Sequence, residues 1–128
     1  MRLAIASVVC LEVARKCGES VWRRRLLCTK GPGLCHGIGG GICALVDLYT
    51  ATGGHLWLNR AQQFAIMLVR LLAELSPNAG NPYSLFEGRA GAMYALGIVQ
   101  ALSDGTSRQQ ICMSGPDRWS SCFPGLGL

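Results

Sequence analysis

The sequence predicts an all-α protein built as a partial α/α toroid of about two helical hairpins, with an irregular C-terminal tail. Two observations favour this fold class: a block of residues recurs 51 positions later, and apolar residues follow helical spacing between Gly-rich turns. We assign residues 1–103 to the toroid portion and residues 104–128 to the tail, where Ser, Gly and Pro replace the helical periodicity. An arc of two hairpins leaves lateral apolar faces that only a neighbouring unit can cover.

The internal repeat pairs residues 34–45 with residues 85–96. Five of the twelve positions are identical at the constant offset of 51: Leu34/Leu85, Gly37/Gly88, Gly40/Gly91, Ala44/Ala95 and Leu45/Leu96. The repeated small residues predict an inner helix against which another helix packs closely. The repeated unit is therefore a loop, a small-residue helix, a turn and a longer amphipathic helix.

Four helices follow from the pattern, and no segment favours a strand. The first is predicted over about Ile5–Leu27 and the second over Gly37–Ala51, ended by the Gly53-Gly54 turn. The third is predicted over His55–Leu75 and the fourth from Glu87 or Gly88 to about Ser103. The apolar stripe expected for the third helix consists of Leu56, Ala61, Phe64, Ala65, Leu68, Leu72 and Leu75.

Composition narrows the class of protein. Half of the residues are hydrophobic and the mean hydropathy is +0.30, so part of the apolar surface is expected to meet missing toroid sequence or another chain. The net charge of +5 includes Arg23–Arg25, which is typical either of a nucleic-acid or anionic-lipid patch or of a solvated helix C-terminus. No aromatic residues interleave with this run, which favours the second interpretation and predicts no nucleic-acid partner; peripheral membrane contact stays open.

Seven cysteines at irregular spacing, with no C-x-x-C pair, indicate a reducing compartment rather than a disulfide framework. The stretch from Leu3 to Leu11 resembles a short signal segment, but no small-residue cleavage site follows, and we predict a helix start instead. No apolar run reaches the ~18 residues of a membrane span. The predicted location is the cytoplasm, with peripheral association at the plasma membrane as the open alternative.

The run from Lys30 to Gly37 contains the candidate metal ligands. Cys35 and His36 place a thiol and an imidazole side by side at the start of a predicted helix, and both groups are good zinc ligands. The surrounding glycines let the backbone and a substrate approach closely. An adjacent Cys-His pair can also be purely structural, so the pattern alone leaves both interpretations open.

Three segments together resemble the C-terminal part of the LanC-like proteins, the eukaryotic relatives of the bacterial lanthionine synthetase cyclases. They are Gly33-Leu34-Cys35-His36-Gly37, Leu48-Tyr49-Thr50 and Ser84-Leu85-Phe86-Glu87-Gly88, and the resemblance runs from about Leu11 to Leu102. It implies a double α-toroid with a central zinc held by two Cys and one His, the fourth position being open to a substrate thiol. Cys35 and His36 match two of those three ligands. Lys30 matches a basic position expected to bind a carboxylate of glutathione, and Glu87 is expected to shape the substrate pocket.

The resemblance implies a zinc-dependent protein that adds the thiol of glutathione or of a peptide Cys to dehydroamino acids. The family's other Cys ligand and its acid/base residues lie upstream of the matching segment, so we expect a fragment or truncated variant that is not active alone. No catalytic residue is assigned in this chain. We consider two other cysteines as a third ligand: Cys28 lies on a segment that can fold back, whereas Cys43, about two turns beyond Cys35 on the same helix, is expected to pack against its neighbours. The alternative is a non-catalytic helical module that binds glutathione or a protein.

Overall fold

The computed structural model describes residues 2–24 and 30–105, and this part of the chain is all-helical. Helix α1 spans Arg2–Arg24, α2 spans Ile38–Thr52, α3 spans His55–Leu75 and α4 spans Arg89–Ser103. A single 3₁₀ turn, Ser76–Asn78, follows α3. Within the described ranges there is no strand, as the sequence predicts. The 51-residue offset relates α1 and α2 to α3 and α4, and we call α1–α2 the first hairpin and α3–α4 the second, with the Gly53-Gly54 turn joining them.

The ends of the two inner helices, α2 and α4, are related by the same offset of 51 residues as the sequence repeat. Helix α4 begins 51 residues after α2 begins, at Arg89 and Ile38, and it also ends 51 residues after α2 ends, at Ser103 and Thr52. A close steric contact also recurs: a Cβ added to Gly40 would overlap the carbonyl oxygen of Leu34, and one added to Gly91 would overlap that of Leu85. Each inner helix therefore begins against the backbone of its own preceding loop, and only glycine fits at this position.

The turn between α2 and α3 also follows the sequence prediction. Gly53 adopts a left-handed backbone conformation with φ of 67°, and its N–H donates to the Tyr49 carbonyl at 2.7 Å. Residues without a Cβ adopt this conformation at no steric cost, which is why the helix ends here. His55, the first residue of α3, is exposed, as expected for a helix start.

The hydrophobic core lies where α2, α3 and α4 meet. Its largest fully buried side chains are Phe64, Ile38, Ile42, Leu45, Leu68 and Leu75. Helix α1 packs on this core through Ala14, Val21 and Trp22, which are partly buried. The apolar residues of α1 thus extend the core, whereas α2 and α3 make up its centre.

Arg60 of α3 links α1 to the core. It donates a hydrogen bond to Glu19 at 2.5 Å, and its guanidinium lies over the rings of Trp22 and Trp57 at 5.3 and 5.0 Å from the ring centroids. Trp22 also stacks on Phe64, with the centroids 5.2 Å apart. A planar guanidinium combines ion pairing with cation–π contact, so one residue fixes the position of two helices.

Some predicted positions differ from the structure. The second helix begins at Ile38 and the fourth at Arg89, because Gly37 and Gly88 are extended residues that precede them. Leu56 was expected in the buried stripe of α3 but is 54% exposed, and Trp57 is buried in its place. Trp57, Ala61, Phe64 and Leu68 follow the 4-3-4 spacing of one helix face, which turns Leu56 about 100° away.

The ends of two other predictions lie outside the described residues. The first helix is already formed at Arg2, and its predicted end at Leu27 falls within residues 25–29. The tail is described only at residues 104–105, which form a turn, so its predicted irregular structure remains a prediction. In the described part of the chain, every helix is too short or too polar to cross a membrane.

Two glycines of α4 provide the first test of the repeat geometry. We expect Gly91→Ala to lower the free energy of unfolding by about 1–3 kcal/mol, because the new Cβ overlaps the Leu85 carbonyl oxygen. Gly97→Ala is the matched control: its Cβ meets no atom within 4 Å, and we expect it to raise the free energy of unfolding by about 0.5–1 kcal/mol. Urea unfolding followed by circular dichroism measures both, and equal effects of the two substitutions would contradict the proposed packing.

The Glu19–Arg60 contact makes a pH-dependent contribution to stability. The pKa of Glu19 is lowered from its ordinary value of 4.5, mainly because Arg60 donates a hydrogen bond to the carboxylate. A lowered folded-state pKa means that the contact stabilises the fold above pH 4.5, and that this contribution is lost as the pH falls through the folded-state pKa.

We therefore expect Glu19→Gln to lose less unfolding free energy than the unsubstituted chain between pH 7 and pH 3. Glu12→Gln is the control, because Glu12 pairs with Arg15 only at 3.6 Å on an exposed face of α1. It should follow the unsubstituted chain, as measured by urea unfolding at the two pH values. The same pH-dependent loss in both variants would show that the Arg60 contact is not its source.

Candidate functional site

The site is built on two loops that precede the inner helices and pair with each other. The N–H of Gly33 donates to the Glu87 carbonyl at 3.1 Å, and the N–H of Cys35 donates to the Phe86 carbonyl at 2.7 Å. A Cβ on Gly33 would overlap the Phe86 carbonyl, so the close approach requires glycine there. The loop that carries Cys35 is therefore held directly by the loop that carries Glu87.

Cys35 and His36 present their polar atoms together at the surface. Both residues are exposed, and the Cys35 Sγ lies 3.7 Å from the His36 Nε2. A tetrahedral zinc ion, with bonds of about 2.3 Å to sulfur and about 2.1 Å to nitrogen, separates two such ligand atoms by about 3.6 Å. The separation in this structure fits two positions of that coordination, and it also fits a weak thiol–imidazole hydrogen bond.

The start of α2 supports this arrangement. Its N–H groups at Gly39 and Gly40 donate to the carbonyls of Pro32 and Gly33, both at 3.3 Å. These two amides would otherwise lack a partner at the helix N-terminus. The loop from Lys30 to Gly37 therefore folds back over the first turn of α2, which orients the Cys-His pair.

A pocket of about 230 Å³ lies beside the Cys-His pair. Lys30, His36 and Glu87 contribute to its lining, together with Asn78 and the backbone of residues 79–80. Lys30 is exposed and places an ammonium group at the same pocket as the Glu87 carboxylate and the imidazole. The pocket can therefore offer a cation, an anion and a ring nitrogen to a small zwitterionic ligand.

The Glu87 side chain has a defined position in this pocket. Its Oε2 accepts a hydrogen bond from the backbone N–H of Asn81 at 3.0 Å, and its own N–H donates to the Ser84 Oγ at 3.1 Å. The Tyr83 N–H in turn lies 3.4 Å from the Asn81 Oδ1. Local side-chain to backbone bonds of this type order the loop before a helix.

Arg89 closes the same loop at its far end. Its Nε donates to the Ser76 Oγ at 3.0 Å, and Ser76 is buried and donates to the Leu72 carbonyl at 2.5 Å. The Arg89 guanidinium also lies 5.9 Å from the centroid of the exposed Tyr83 ring. The segment between α3 and α4 is thus tied at both ends, which keeps Glu87 beside the Cys-His pair.

Of the two cysteines considered as a third ligand, the structure describes only Cys43, which lies away from the site. Cys43 is half-buried and packs against the hydrophobic core, and Cys28 lies within residues 25–29, outside the part that the structure describes. Among residues 2–24 and 30–105, no group of three or more His, Cys, Asp and Glu side chains is arranged to hold a metal ion.

The structure thus brings all four sequence-predicted site residues into one region. Lys30, His36 and Glu87 line one pocket, and Cys35 lies next to His36. Sequence reasoning missed the roles of Asn81, Ser84 and the carbonyls of residues 86–87. The Ser-x-x-Glu spacing at 84–87 is the available signal, because a Ser oxygen at this spacing accepts the N–H of the residue three positions on.

Comparison with known proteins agrees with these features. The family model described as "Lanthionine synthetase C-like protein" matches residues 9–107. The chain is 42% identical over 86 residues to "Glutathione S-transferase LANCL1" of Danio rerio, which covers 67% of this chain and 21% of the relative. It is 39% identical over 84 residues to "LanC-like protein GCL1" of Arabidopsis thaliana, covering 62% of this chain and 19% of the relative. The chain therefore spans about a fifth of the length of either relative.

Proposed function

The chain belongs to the lanthionine synthetase C-like family, and we propose that it is a fragment or truncated variant of a zinc-dependent thiol-adding protein. The proposed reaction adds the thiol of glutathione or of a peptide Cys to a dehydroamino acid in a peptide. The relative named as a glutathione S-transferase supports glutathione as the thiol. The proposed setting is the cytoplasm, where a reducing environment keeps exposed thiols such as Cys35 reduced.

The observation that carries the proposal is the 3.7 Å separation of the Cys35 Sγ and the His36 Nε2 beside a polar pocket. These two residues would hold the metal, with a further ligand from outside the described residues. When bound, zinc lowers the pKa of a coordinated thiol, so that the thiolate is present near neutral pH. Two protein ligands alone hold zinc weakly, so stoichiometric binding requires that further ligand.

The pocket residues would position the thiol compound. The Lys30 ammonium would pair with a carboxylate of glutathione, and the Glu87 carboxylate, which accepts a hydrogen bond from the Asn81 N–H, would shape the pocket wall. Binding the substrate in this way would orient its sulfur toward the acceptor, and such orientation accounts for a large part of the rate enhancement in enzymes. Lys30 and Glu87 are therefore assigned binding roles only.

The reaction balances without a redox partner. The thiolate sulfur forms a bond to the β-carbon of dehydroalanine or dehydrobutyrine while the carbon–carbon π bond breaks. The electron pair moves to the α-carbon as an enolate, which takes a proton to complete the thioether. In the family, the acid/base residues for this protonation lie upstream of the matching segment, so no described residue of this chain is assigned that step.

The second candidate is a non-catalytic module that binds glutathione or a protein. It is favoured by the donor set, because the described residues offer two metal ligands at the site and no third. In this case the Lys30–Glu87 pocket would still bind the ligand, but the Cys-His pair would have no metal to hold. Metal content therefore separates the two candidates.

Zinc stoichiometry of the purified chain is the deciding measurement. We expect near-stoichiometric zinc in the unsubstituted chain and its loss in the Cys35→Ala/His36→Ala variant. Cys17→Ala is the matched control, because Cys17 is an exposed cysteine on α1 and should leave zinc unchanged. If zinc is bound, Cys28→Ala and Cys43→Ala identify which of them, if either, supplies the third ligand. Zinc no higher than in the double variant would reject the thiol-adding proposal for this chain.

Binding of S-methylglutathione tests the pocket separately from the metal, because its sulfur is blocked. We expect Lys30→Ala to weaken this binding about tenfold through the loss of one charge-assisted bond. Lys16→Ala, which removes an exposed charge on α1, should leave the affinity unchanged. Isothermal titration calorimetry measures both. Equal affinities of all three proteins would contradict the role given to Lys30.

A further inference from the structure

The repeat allows the two hairpins to be compared residue by residue. The comparison identifies two exposed apolar faces, one on each hairpin, whose equivalents in the other hairpin are buried. Helix α3 packs against α2, so the first hairpin is covered on the side that faces the second. No described helix covers the second hairpin in the corresponding way. Equivalent residues, 51 positions apart, can therefore be compared directly for burial.

The trailing edge is the open face of the α3–α4 hairpin, formed by Ile66, Val69, Met93 and Leu96. Met93 is 63% exposed, whereas its equivalent Ile42 is completely buried. Val69 is 61% exposed, whereas its equivalent Gly18 is buried, with its Cβ position occupied by the Leu48 and Trp57 side chains. Second-hairpin residues that match buried positions of the first therefore lie at the surface.

This edge forms a groove of about 620 Å³. Its apolar centre is flanked by Gln62, Gln63 and Gln100, and the described residues that line it include no charged side chain. An apolar groove with an uncharged polar rim is typical of a protein–protein contact surface.

The leading edge is the open face of the α1–α2 hairpin, formed by Val13, Cys17, Val21, Ala44 and Ala51. Val13 is 54% exposed, whereas its equivalent Phe64 is buried. Cys17 is exposed, whereas its equivalent Leu68 is fully buried. These residues of the first hairpin are therefore exposed at positions that are buried in the second. Cys17, Val21, Ala44 and Ala51 line a second groove, of about 330 Å³, and Val13 lies one helical turn before Cys17 on α1.

The contact between the two hairpins inside this chain shows how such edges can fit together. The side of the first hairpin that corresponds to the trailing edge packs against the side of the second hairpin that corresponds to the leading edge, and this contact forms the core. The chain exposes one further trailing side and one further leading side with the same backbone framework. We propose that the trailing edge of one copy binds the leading edge of a second copy, in a head-to-tail arrangement that continues the internal repeat.

A second copy is the occupant that this structure favours, because the internal junction supplies the template for the contact. The interface would be heterologous, since a different surface of each copy takes part. It uses neither Cys35, His36 nor the Lys30–Glu87 pocket, and it is independent of the proposed thiol chemistry.

Sedimentation velocity of the full chain under reducing conditions tests the proposal. We expect the average mass to rise with concentration between about 1 and 100 µM, the range of a weak to moderate contact. Met93→Glu disables the trailing edge and Val13→Glu the leading edge, and each variant alone should stay monomeric. Both positions are more than half exposed, so the folded chain tolerates the charge, which circular dichroism checks.

An equimolar mixture of the two variants is the decisive sample. Met93→Glu keeps its leading edge and Val13→Glu keeps its trailing edge, so the mixture should form a complex containing one copy of each. A pairing of two leading edges would be lost in Val13→Glu alone and not restored by mixing, and this result would overturn the proposal. A monomer at every concentration, including one in which the chain's own residues 106–128 cover the groove, would also overturn it.

Thiol alkylation gives a second measurement. Cys17 lies in the leading edge, whereas Cys35 lies on a site loop outside both edges. In the presence of a chelator, we expect alkylation of Cys17 to slow at least threefold as the chain associates, while Cys35 reacts at a constant rate. Equal rates for Cys17 in the monomeric and associated samples would contradict the proposed contact.

Discussion

The paired backbone hydrogen bonds between the two loops are the constraint on which the other features depend. They join Gly33 and Cys35 to the carbonyls of Glu87 and Phe86, and they fix the starts of α2 and α4 relative to each other. The inner helices α2 and α4 can then contact each other, and α3 packs against both. Because these bonds use backbone atoms, the loops keep their positions while the side chains at their tips are free to differ.

That freedom explains how one repeat carries two kinds of chemistry. Cys35 and His36 occupy the positions that Phe86 and Glu87 occupy 51 residues later. The repeated glycines preserve the backbone, whereas the two residues between them provide a thiol and an imidazole in one copy and an aromatic ring and a carboxylate in the other. The pairing of the loops then brings the two different sets side by side.

The sequence predicts the parts of this structure that depend on local rules. Spacing and glycine placement are enough to predict the repeat, the choice between inner and amphipathic helix for each segment, and the Gly53 cap. They also predict that Cys35 and His36 lie together at the start of a helix. Leu56 was placed wrongly because a leucine count does not fix the phase of a helix face, which the burial of Trp57 decides. The hydrogen bond from the Asn81 N–H to the Glu87 carboxylate depends on the conformation of the loop, which residue spacing alone does not specify.

The location of the two edges relative to the site follows from helix geometry. The site residues lie on loops at the N-terminal ends of α2 and α4, whereas the edges run along the sides of the helices. No residue that lines the Lys30–Glu87 pocket also lines either groove in the described part of the chain. Since apolar packing along the helices and polar chemistry at their ends use separate residues, burying an edge leaves the pocket open. A substitution at an edge should therefore act on assembly without altering the groups that face a ligand.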